Sequence, residues 1–140
     1  KIDGYSPSIG LPVCMGKLEG ERREIVEFCY KMHDWTEKQL KAGVMADEVA
    51  KQFLENYKKA GYEKNYVYGP CHGTGMIEVE APWMETSTHY PLEKNMTFQI
   101  DTFISGPTFG CRVEKGIAVK ENGCESYTDY LKKGIIELGF

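Results

Sequence analysis

The amino-acid sequence predicts an α+β fold in which helices pack on an antiparallel sheet. Two helical segments lie in the first half of the chain, and most of the segments with strand character follow residue 62. Helices and strands that are segregated along a chain in this way are typical of the α+β class. The length of 140 residues is about that of one domain and is sufficient for a core without disulfide bonds.

The first elements are an irregular strand and a helical hairpin. Residues 5–16 form the strand, and two prolines in it favour an edge or kinked position because proline donates no ladder hydrogen bond. Residues 19–41 carry apolar side chains at three- and four-residue steps, which predicts an amphipathic helix that stops at Gly43. Residues 46–60 form a second helix that stops at Gly61, and the short link makes the two helices antiparallel.

The second half contains four segments with strand character, of which residues 96–101 alternate cleanly between apolar and polar side chains. These strands are expected at residues 66–68, 76–80, 96–101 and 112–120. A loop rich in glycine and proline, residues 69–75, separates the first two of them. In the third strand Gln99 and Asp101 share the face opposite to Phe98, because side chains alternate along a strand. Residues 128–138 are expected to form a short helix or a closing strand.

Composition narrows the class of protein and its partners. The net charge of −4 argues against a nucleic-acid partner, and no run approaches the roughly 18 apolar residues of a membrane span. The five cysteines form no CxxC pair, and no signal-peptide pattern opens the chain, so reduced thiols in the cytoplasm are expected. The opening residues 1–5 lack a methionine and favour a fragment of a longer protein.

A histidine and two carboxylates in the second half are candidates for chemistry. Glycines on both sides of His72 leave its imidazole accessible, and Asp101 lies on the polar face of its strand. Glu114 shares a face with Arg112 on the next strand, so pairing across the turn at 105–110 would bring the two carboxylates to one side. A first-row metal could bind there. The spacing leaves a second interpretation open, in which the carboxylates are solvated and Arg112 simply pairs with Asp101.

The positions of several further side chains decide whether each is a candidate site residue. Trp83 and Met84 are candidates to line a substrate pocket, and His89 lies in a loop that can reach the cleft. Cys71 beside the candidate histidine looks like a nucleophile pair, but adjacent residues on an extended segment point apart, which disfavours catalysis by this thiol. His33, on the first helix, is expected at the surface.

Three motifs carry a specific resemblance. They read CHGTGMIEVEAPW, NMTFQID and GCRVEKGIAVKENGCE. In this order and spacing the chain resembles the creatinase/aminopeptidase family (M24, pita-bread), which includes Xaa-Pro peptidases and methionine aminopeptidases. The resemblance covers essentially residues 1–140, as the C-terminal part of the family's catalytic domain. It implies a pita-bread fold, a curved antiparallel sheet with helices on the outer face, present here as a partial domain.

The resemblance also implies roles for individual residues. His72 matches the family's histidine ligand, Asp101 stands where a glutamate ligand is expected, and Glu114 matches the glutamate that bridges two metals. Arg112 matches an arginine of the Xaa-Pro branch, and Glu80 keeps the glutamate of the HExP pattern. The implied metal ligands are therefore His72, Asp101 and Glu114, and the implied catalytic residues are His72, Glu80 and Arg112.

Departures from the family pattern put two tightly held metals in doubt. Ser8 stands where a bridging aspartate is expected, a second aspartate would lie before Lys1, and Val79 replaces the family's second histidine. Because bridging carboxylates hold two cations against their repulsion, the expectation is one divalent metal (Mn, Co or Zn) or none. Without a metal, His72 would act as general base or acid, as the family's metal-free members imply.

The resulting functional hypothesis is an M24-like hydrolase that acts on a peptide or small amide C–N bond with a degenerate metal site. The alternative is a catalytically silent pita-bread binding domain. Strands missing before Lys1 would leave residues 1–16 as an open sheet edge, and open edges pair with other chains. A homo-oligomer such as a dimer, or a complementary N-terminal part, is therefore the expected partner.

Overall fold

The computed structural model of the chain describes residues 1–128 and 130–140, with only the backbone of 131 and 132. In chain order the elements are β1 (Ile9–Gly10), β2 (Val13–Cys14), α1 (Gly20–Gln39), α2 (Ala46–Lys59), β3 (Cys71–Gly73), β4 (Glu80–Met84), β5 (Thr97–Ser105), β6 (Gly110–Lys120), β7 (Gly123–Ser126) and β8 (Ile136–Glu137). The strand order of the main sheet is β1-β6-β5-β3-β4, and β7 also pairs with β6. These pairings are antiparallel, whereas β2 and β8 form a separate parallel pair. The predicted α+β class is confirmed.

The helical hairpin covers one face of the sheet. Helices α1 and α2 begin and end within two residues of the predicted bounds. The apolar stripe of α1, including Ile25, Cys29 and Met32, is buried in a core cluster that also contains Ile104 and Val113 of β5 and β6. The predicted amphipathic helix therefore packs on the sheet through the side that its periodicity marks.

Strand β5 is buried on both faces. Phe98 and Ile100 lie in the core beneath the helices, while Gln99 and Asp101 are only 1% and 3% exposed on the opposite face. The face that the sequence marks as polar is thus removed from solvent. Burying a polar group costs free energy unless the group has a hydrogen-bond or charge partner. The buried polar face of β5 therefore marks the candidate site.

Two predicted strands are placed differently. Of residues 66–68, only Tyr66 makes a bridge, to Ile104. The strand expected at residues 76–80 lies instead at β4, and β3 falls within the segment that was expected to be a loop. The reason is close backbone packing: a Cβ on Gly73 would lie 2.5 Å from the carbonyl oxygen of Ala81, so glycine lets β3 and β4 approach.

The end of the chain and the position of His33 differ in part from the prediction. Residues 130–133 form a short 3₁₀ helix before β8, so the expectation for residues 128–138 holds for both alternatives in part, and residue 129 lies outside the described residues. His33 was expected at the surface but is fully buried against the sheet. Strand β1 stands at one end of the main sheet, as expected for an edge.

Among the described helices, none has the length and apolarity that a bilayer crossing requires.

Candidate active site

His72 is the central residue of β3 and is held between β4 and β5. Its side chain is buried, and Nδ1 lies 3.0 Å from the carbonyl oxygen of Gly73. A carbonyl can only accept, so this contact assigns the proton of a neutral imidazole to Nδ1 and leaves Nε2 with a free lone pair. Nε2 is buried and has no hydrogen-bond partner among the described residues.

Two carboxylates face this nitrogen. Asp101 and Glu114 are directly opposite each other in the β5–β6 ladder, and both are almost fully buried. His72 Nε2 lies 3.8 Å from Asp101 Oδ2 and 3.8 Å from Glu114 Oε1. One ligand atom from each of the three residues lies within 4.8 Å of the others. The structure therefore brings together all three predicted metal ligands.

Asp101 is fixed by a cation and a phenol. Arg112 donates from Nε to Oδ1 and from Nη2 to Oδ2, each at 2.8 Å, and Tyr68 donates its hydroxyl proton to Oδ2 at 2.8 Å. These hydrogen bonds to Asp101 raise the pKa of the Arg112 guanidinium above its ordinary value. The pKa of Tyr68 is also raised, first by burial and then by the charge of Asp101. The predicted pair between Arg112 and Asp101 is present, but Asp101 is buried rather than solvated and also faces His72, so its role as a metal ligand stays a prediction.

Glu114 is held by longer contacts than Asp101, including one of 3.3 Å between its Oε2 and Arg112 Nη2. Its Oε2 accepts from the Ser8 hydroxyl at 3.1 Å, and its Oε1 accepts from Gln99 Nε2 at 3.3 Å. Burial raises the pKa of Glu114, and the nearby charge of Asp101 adds to this shift. Ser8 thus meets Glu114 directly, and it does so with a neutral hydroxyl where the family resemblance leads one to expect a carboxylate.

Glu80 has a different position. It opens β4 opposite Gly73, and its carboxylate accepts a hydrogen bond from the backbone N–H of Ile77 at 3.0 Å. It is not one of the three groups that converge, and Val79 beside it is 42% exposed on the same loop. In this structure Glu80 closes the loop between β3 and β4, and its catalytic role stays a prediction.

The remaining candidates divide into two groups. Trp83 flanks the site, with ring centroid 6.2 Å from that of His72. Met84 was expected to line a pocket but is fully buried in the core, and Cys71 lies in the same cluster, where burial raises the pKa of its thiol. His89 was weighed as a cleft residue but contacts Asp47 of α2 instead, at 3.2 Å.

Sequence reasoning missed Gln99 and Tyr68. Gln99 lies on the same strand face as Asp101, so the two-residue period was a sufficient signal for its position. Tyr68 reaches the site from the segment before β3, and no spacing rule connects such a segment with β5. Its contribution depends on tertiary packing, including its stacking on Phe103 at 5.9 Å between ring centroids.

The residues present fit one divalent cation. His72 Nε2 is buried without a hydrogen-bond partner in residues 1–128 and 130–140, and it faces one oxygen of each carboxylate. One imidazole nitrogen and two carboxylate oxygens form a donor set that manganese, cobalt and zinc all accept. The contact between Nδ1 and the Gly73 carbonyl supplies the orienting hydrogen bond that metal-bound histidines usually make.

A helix-covered antiparallel sheet with a buried His–Asp–Glu cluster defines a candidate hydrolase site. The model of "Metallopeptidase family M24" matches residues 1–121, so the chain belongs to this family and the predicted resemblance is confirmed. Among curated relatives, the uncharacterized peptidase YqhT of Bacillus subtilis is 26% identical over 134 residues. That alignment covers 95% of this chain and 38% of the relative.

Solved structures agree on the fold. The X-Pro aminopeptidase of Thermotoga maritima is 27% identical with a TM-score of 0.84, covering 90% of this chain and 36% of that one. The prolidase of Pyrococcus furiosus is 25% identical with a TM-score of 0.85, covering 91% and 38%. Dipeptidase PepE of Mycobacterium ulcerans, 21% identical with a TM-score of 0.91 over 99% and 38%, supports the fold alone. The fold is pita-bread, and the chain corresponds to a part of these longer proteins.

Proposed function

We propose that this chain carries part of an M24 hydrolase site that cleaves the C–N bond of a peptide or small amide. The observation that carries the proposal is the unpartnered Nε2 of His72, buried 3.8 Å from one oxygen of Asp101 and one of Glu114. Membership of a peptidase family and similarity to X-Pro aminopeptidase and prolidase structures support the reaction class.

We assign His72, Asp101 and Glu114 as the ligands of at most one divalent cation. Such a cation would act as a Lewis acid on the carbonyl under attack. Two cations would need a further bridging carboxylate, and Ser8 offers a neutral hydroxyl at this point. The site is degenerate in this sense relative to a dinuclear one.

The chain's own residues supply orientation and proton transfer. Gly73 fixes the imidazole of His72 through Nδ1, so Nε2 faces Asp101 and Glu114. Arg112 and Tyr68 hold the carboxylate of Asp101 in a fixed orientation through three hydrogen bonds. In the metal-free site, burial raises the pKa of Glu114, which suits this carboxylate to accept a proton from an attacking water. The proposed catalytic role of Arg112 is to keep the charge of Asp101 in place.

A specific observation favours the second candidate, a catalytically silent binding domain. Both oxygens of Asp101 already accept charge-assisted hydrogen bonds from Arg112, and one also accepts from Tyr68. A cation must therefore share this carboxylate with a resident guanidinium. If the cation loses this competition with the guanidinium, the fold is kept but no metal is bound.

Metal content and hydrolysis together test the proposal. The protein is equilibrated with Mn, Co or Zn, dialysed, and measured by elemental analysis, then assayed on Xaa-Pro dipeptides and small amides with and without metal. We expect one equivalent or fewer, and hydrolysis that His72→Ala abolishes. His89→Ala is the matched control, because His89 pairs with Asp47 outside the site.

Each outcome separates the candidates. Two tightly bound equivalents contradict the single-cation assignment. Absence of hydrolysis in every metal condition, with normal folding, favours the silent binding domain. Hydrolysis that survives His72→Ala removes His72 from the reaction.

We also propose a partner and a compartment. The chain spans 37% to 38% of the length of its curated relatives, and the partner that we propose is a complementary part of an M24 domain or a second copy. All five cysteines are free in the structure, which supports a reducing compartment such as the cytoplasm.

A further inference from the structure

Gln99 is fixed in a single orientation beside the candidate site. It is 1% exposed, and its Nε2 donates to the backbone oxygen of Ser8 at 2.8 Å and to Glu114 Oε1 at 3.3 Å. The backbone oxygen of Ser8 can only accept, so the atom facing it must be the amide nitrogen. The carbonyl oxygen Oε1 of Gln99 therefore points away from both partners.

Gln99 and Gly116 help to line a cavity with a volume of about 810 Å³. A Cβ on Gly116 would lie 2.9 Å from Gln99 Oε1 and 2.9 Å from the ring of Tyr127, so only glycine leaves this space open. In residues 1–128 and 130–140, both hydrogen bonds of the Gln99 side chain are made by Nε2. An acceptor is thus presented to the cavity and is available to a ligand.

The cavity walls complement this acceptor with apolar surface. The large apolar and aromatic residues among them are Ile2, Tyr5, Ile9, Tyr127 and Tyr130. Asp3 is the charged residue in the described lining, and Gln99 donates a hydrogen bond to Glu114. The negative charges of these two carboxylates disfavour an anionic ligand. The volume is within the roughly 300–1,000 Å³ typical of ligand pockets.

We infer that this cavity is a substrate subsite in which Gln99 Oε1 accepts a hydrogen bond from an amide N–H and the apolar walls enclose an aromatic or large aliphatic group. The subsite adjoins the His72 centre through Glu114, and its role as a substrate subsite rests on the proposed function. Gln99 is a specificity-determining residue here, because a ligand with an ester oxygen in place of the N–H leaves the buried Oε1 without a donor.

Binding of a matched pair of neutral ligands tests this directly. N-benzylacetamide and benzyl acetate share the aromatic group and differ in the N–H, and ligand-observed NMR measures both affinities in the presence of EDTA. The wild-type protein is expected to bind the amide about tenfold more tightly than the ester, which corresponds to one net hydrogen bond. Gln99→Met is expected to abolish this preference while leaving ester binding similar to that of the wild type.

Two further variants separate the subsite from general stability. Gly116→Ala fills the space beside Oε1 and is expected to weaken both ligands, with unchanged thermal unfolding as the check on folding. Gln52→Met is the matched control: the exposed Gln52 donates to Asn56 Oδ1 on α2, outside the cavity, so the amide preference is retained.

The outcomes distinguish this inference from the proposed function. Equal affinity for amide and ester, a preference that survives Gln99→Met, or no binding of either ligand at millimolar concentration overturns the subsite. Because the measurement needs neither metal nor turnover, amide-selective binding without hydrolysis supports the subsite and counts against the hydrolase. Hydrolysis without selective binding does the reverse.

Discussion

Arg112 grips the carboxylate of Asp101 with two parallel hydrogen bonds of 2.8 Å, one to each oxygen. The same Oδ2 that accepts from the guanidinium lies 3.8 Å from His72 Nε2. A fixed positive charge therefore already occupies one side of the carboxylate that a metal would use. Bidentate arginine–carboxylate pairs are geometrically specific, so this contact sets how strongly the site can attract a cation.

The first prediction concerns Arg112→Met. Removing the guanidinium frees the carboxylate of Asp101 and removes a positive charge that repels an incoming cation. The affinity for Mn²⁺ is therefore expected to rise about tenfold. The metal-free variant is expected to lose about 3 kcal/mol of unfolding free energy, because a buried carboxylate loses its partner. Cation titration by calorimetry and chemical denaturation with and without Mn²⁺ measure both effects.

A control for that variant lies on the same strand. Lys120→Met removes an exposed cation that pairs with Glu125 at 2.7 Å, outside the site. It is expected to change neither cation affinity nor stability appreciably, because exposed pairs contribute little. Unchanged cation affinity in Arg112→Met would show that the guanidinium does not compete with metal at Asp101.

The second prediction concerns Ser8→Asp. A carboxylate at this position would face Glu114, whose Oε2 now accepts the Ser8 hydroxyl at 3.1 Å. Without metal, like charges at this distance are expected to reduce stability by about 1–2 kcal/mol. With excess Mn²⁺ or Co²⁺, the added ligand is expected to raise the bound stoichiometry above that of the wild type, as measured by elemental analysis.

The nearby Ser6→Asp variant controls for added charge. Ser6 Oγ contacts the backbone oxygen of Met76, away from Glu114, so this substitution is expected to leave the stoichiometry unchanged. An equal increase in both variants would indicate nonspecific attraction of the cation rather than a restored ligand.

The site was predictable to the extent that it depends on strand periodicity. The two-residue period and the turn between β5 and β6 put Asp101, Glu114 and Arg112 on one face, and the ladder pairs Asp101 with Glu114 directly. The position of His72 was weighed as a loop residue, because a three-residue strand with a terminal glycine has no usable period. Pairing on both sides, not local sequence, makes this segment a strand.

In helix α1, by contrast, periodicity was given too little weight at one polar residue. Its bounds followed from the apolar stripe, yet His33 was expected at the surface although it lies four residues after Cys29 and three before Thr36, both fully buried. Helical spacing places all three residues on one face, so position should have outweighed polarity. Tyr68 could not have been found by either rule, because its contact with Asp101 joins segments 33 residues apart.

The third prediction follows from the buried His33. Burial lowers its pKa from an ordinary 6.5 to about 3; the charge of Lys115, itself paired with Glu37, adds to this, and a backbone contact with Val113 opposes it. Above pH 6.5 the group is neutral in both states and costs nothing. As pH falls from 6.5 towards 3, the unfolded chain gains a proton that the folded chain does not, so stability is lost.

The variant that tests this is His33→Leu. It is expected to remove about 1–2 kcal/mol of the loss in unfolding free energy between pH 6.5 and pH 5, as measured by chemical denaturation at each pH. His89→Leu, at a position 76% exposed on its side chain, is expected to keep the wild-type acid profile. Identical pH profiles for His33→Leu and the wild type would contradict a neutral buried imidazole.

The fourth prediction concerns association through the edge strand β1. Ile9 is 47% exposed on this two-residue strand, which pairs with β6 on one side. Because β1 is an end strand of the main sheet, its second edge can pair with a strand of another chain. Light scattering is expected to show a mass that rises with concentration. Ile9→Lys is expected to shift the measured mass towards the monomer mass of 15.9 kDa, because a lysine on an edge strand blocks pairing with another chain. Val67→Lys is the control: Val67 is 48% exposed and lies outside the strands, so this variant is expected to leave the mass unchanged. A wild-type mass of one chain at every concentration would show that this edge is stable when left open.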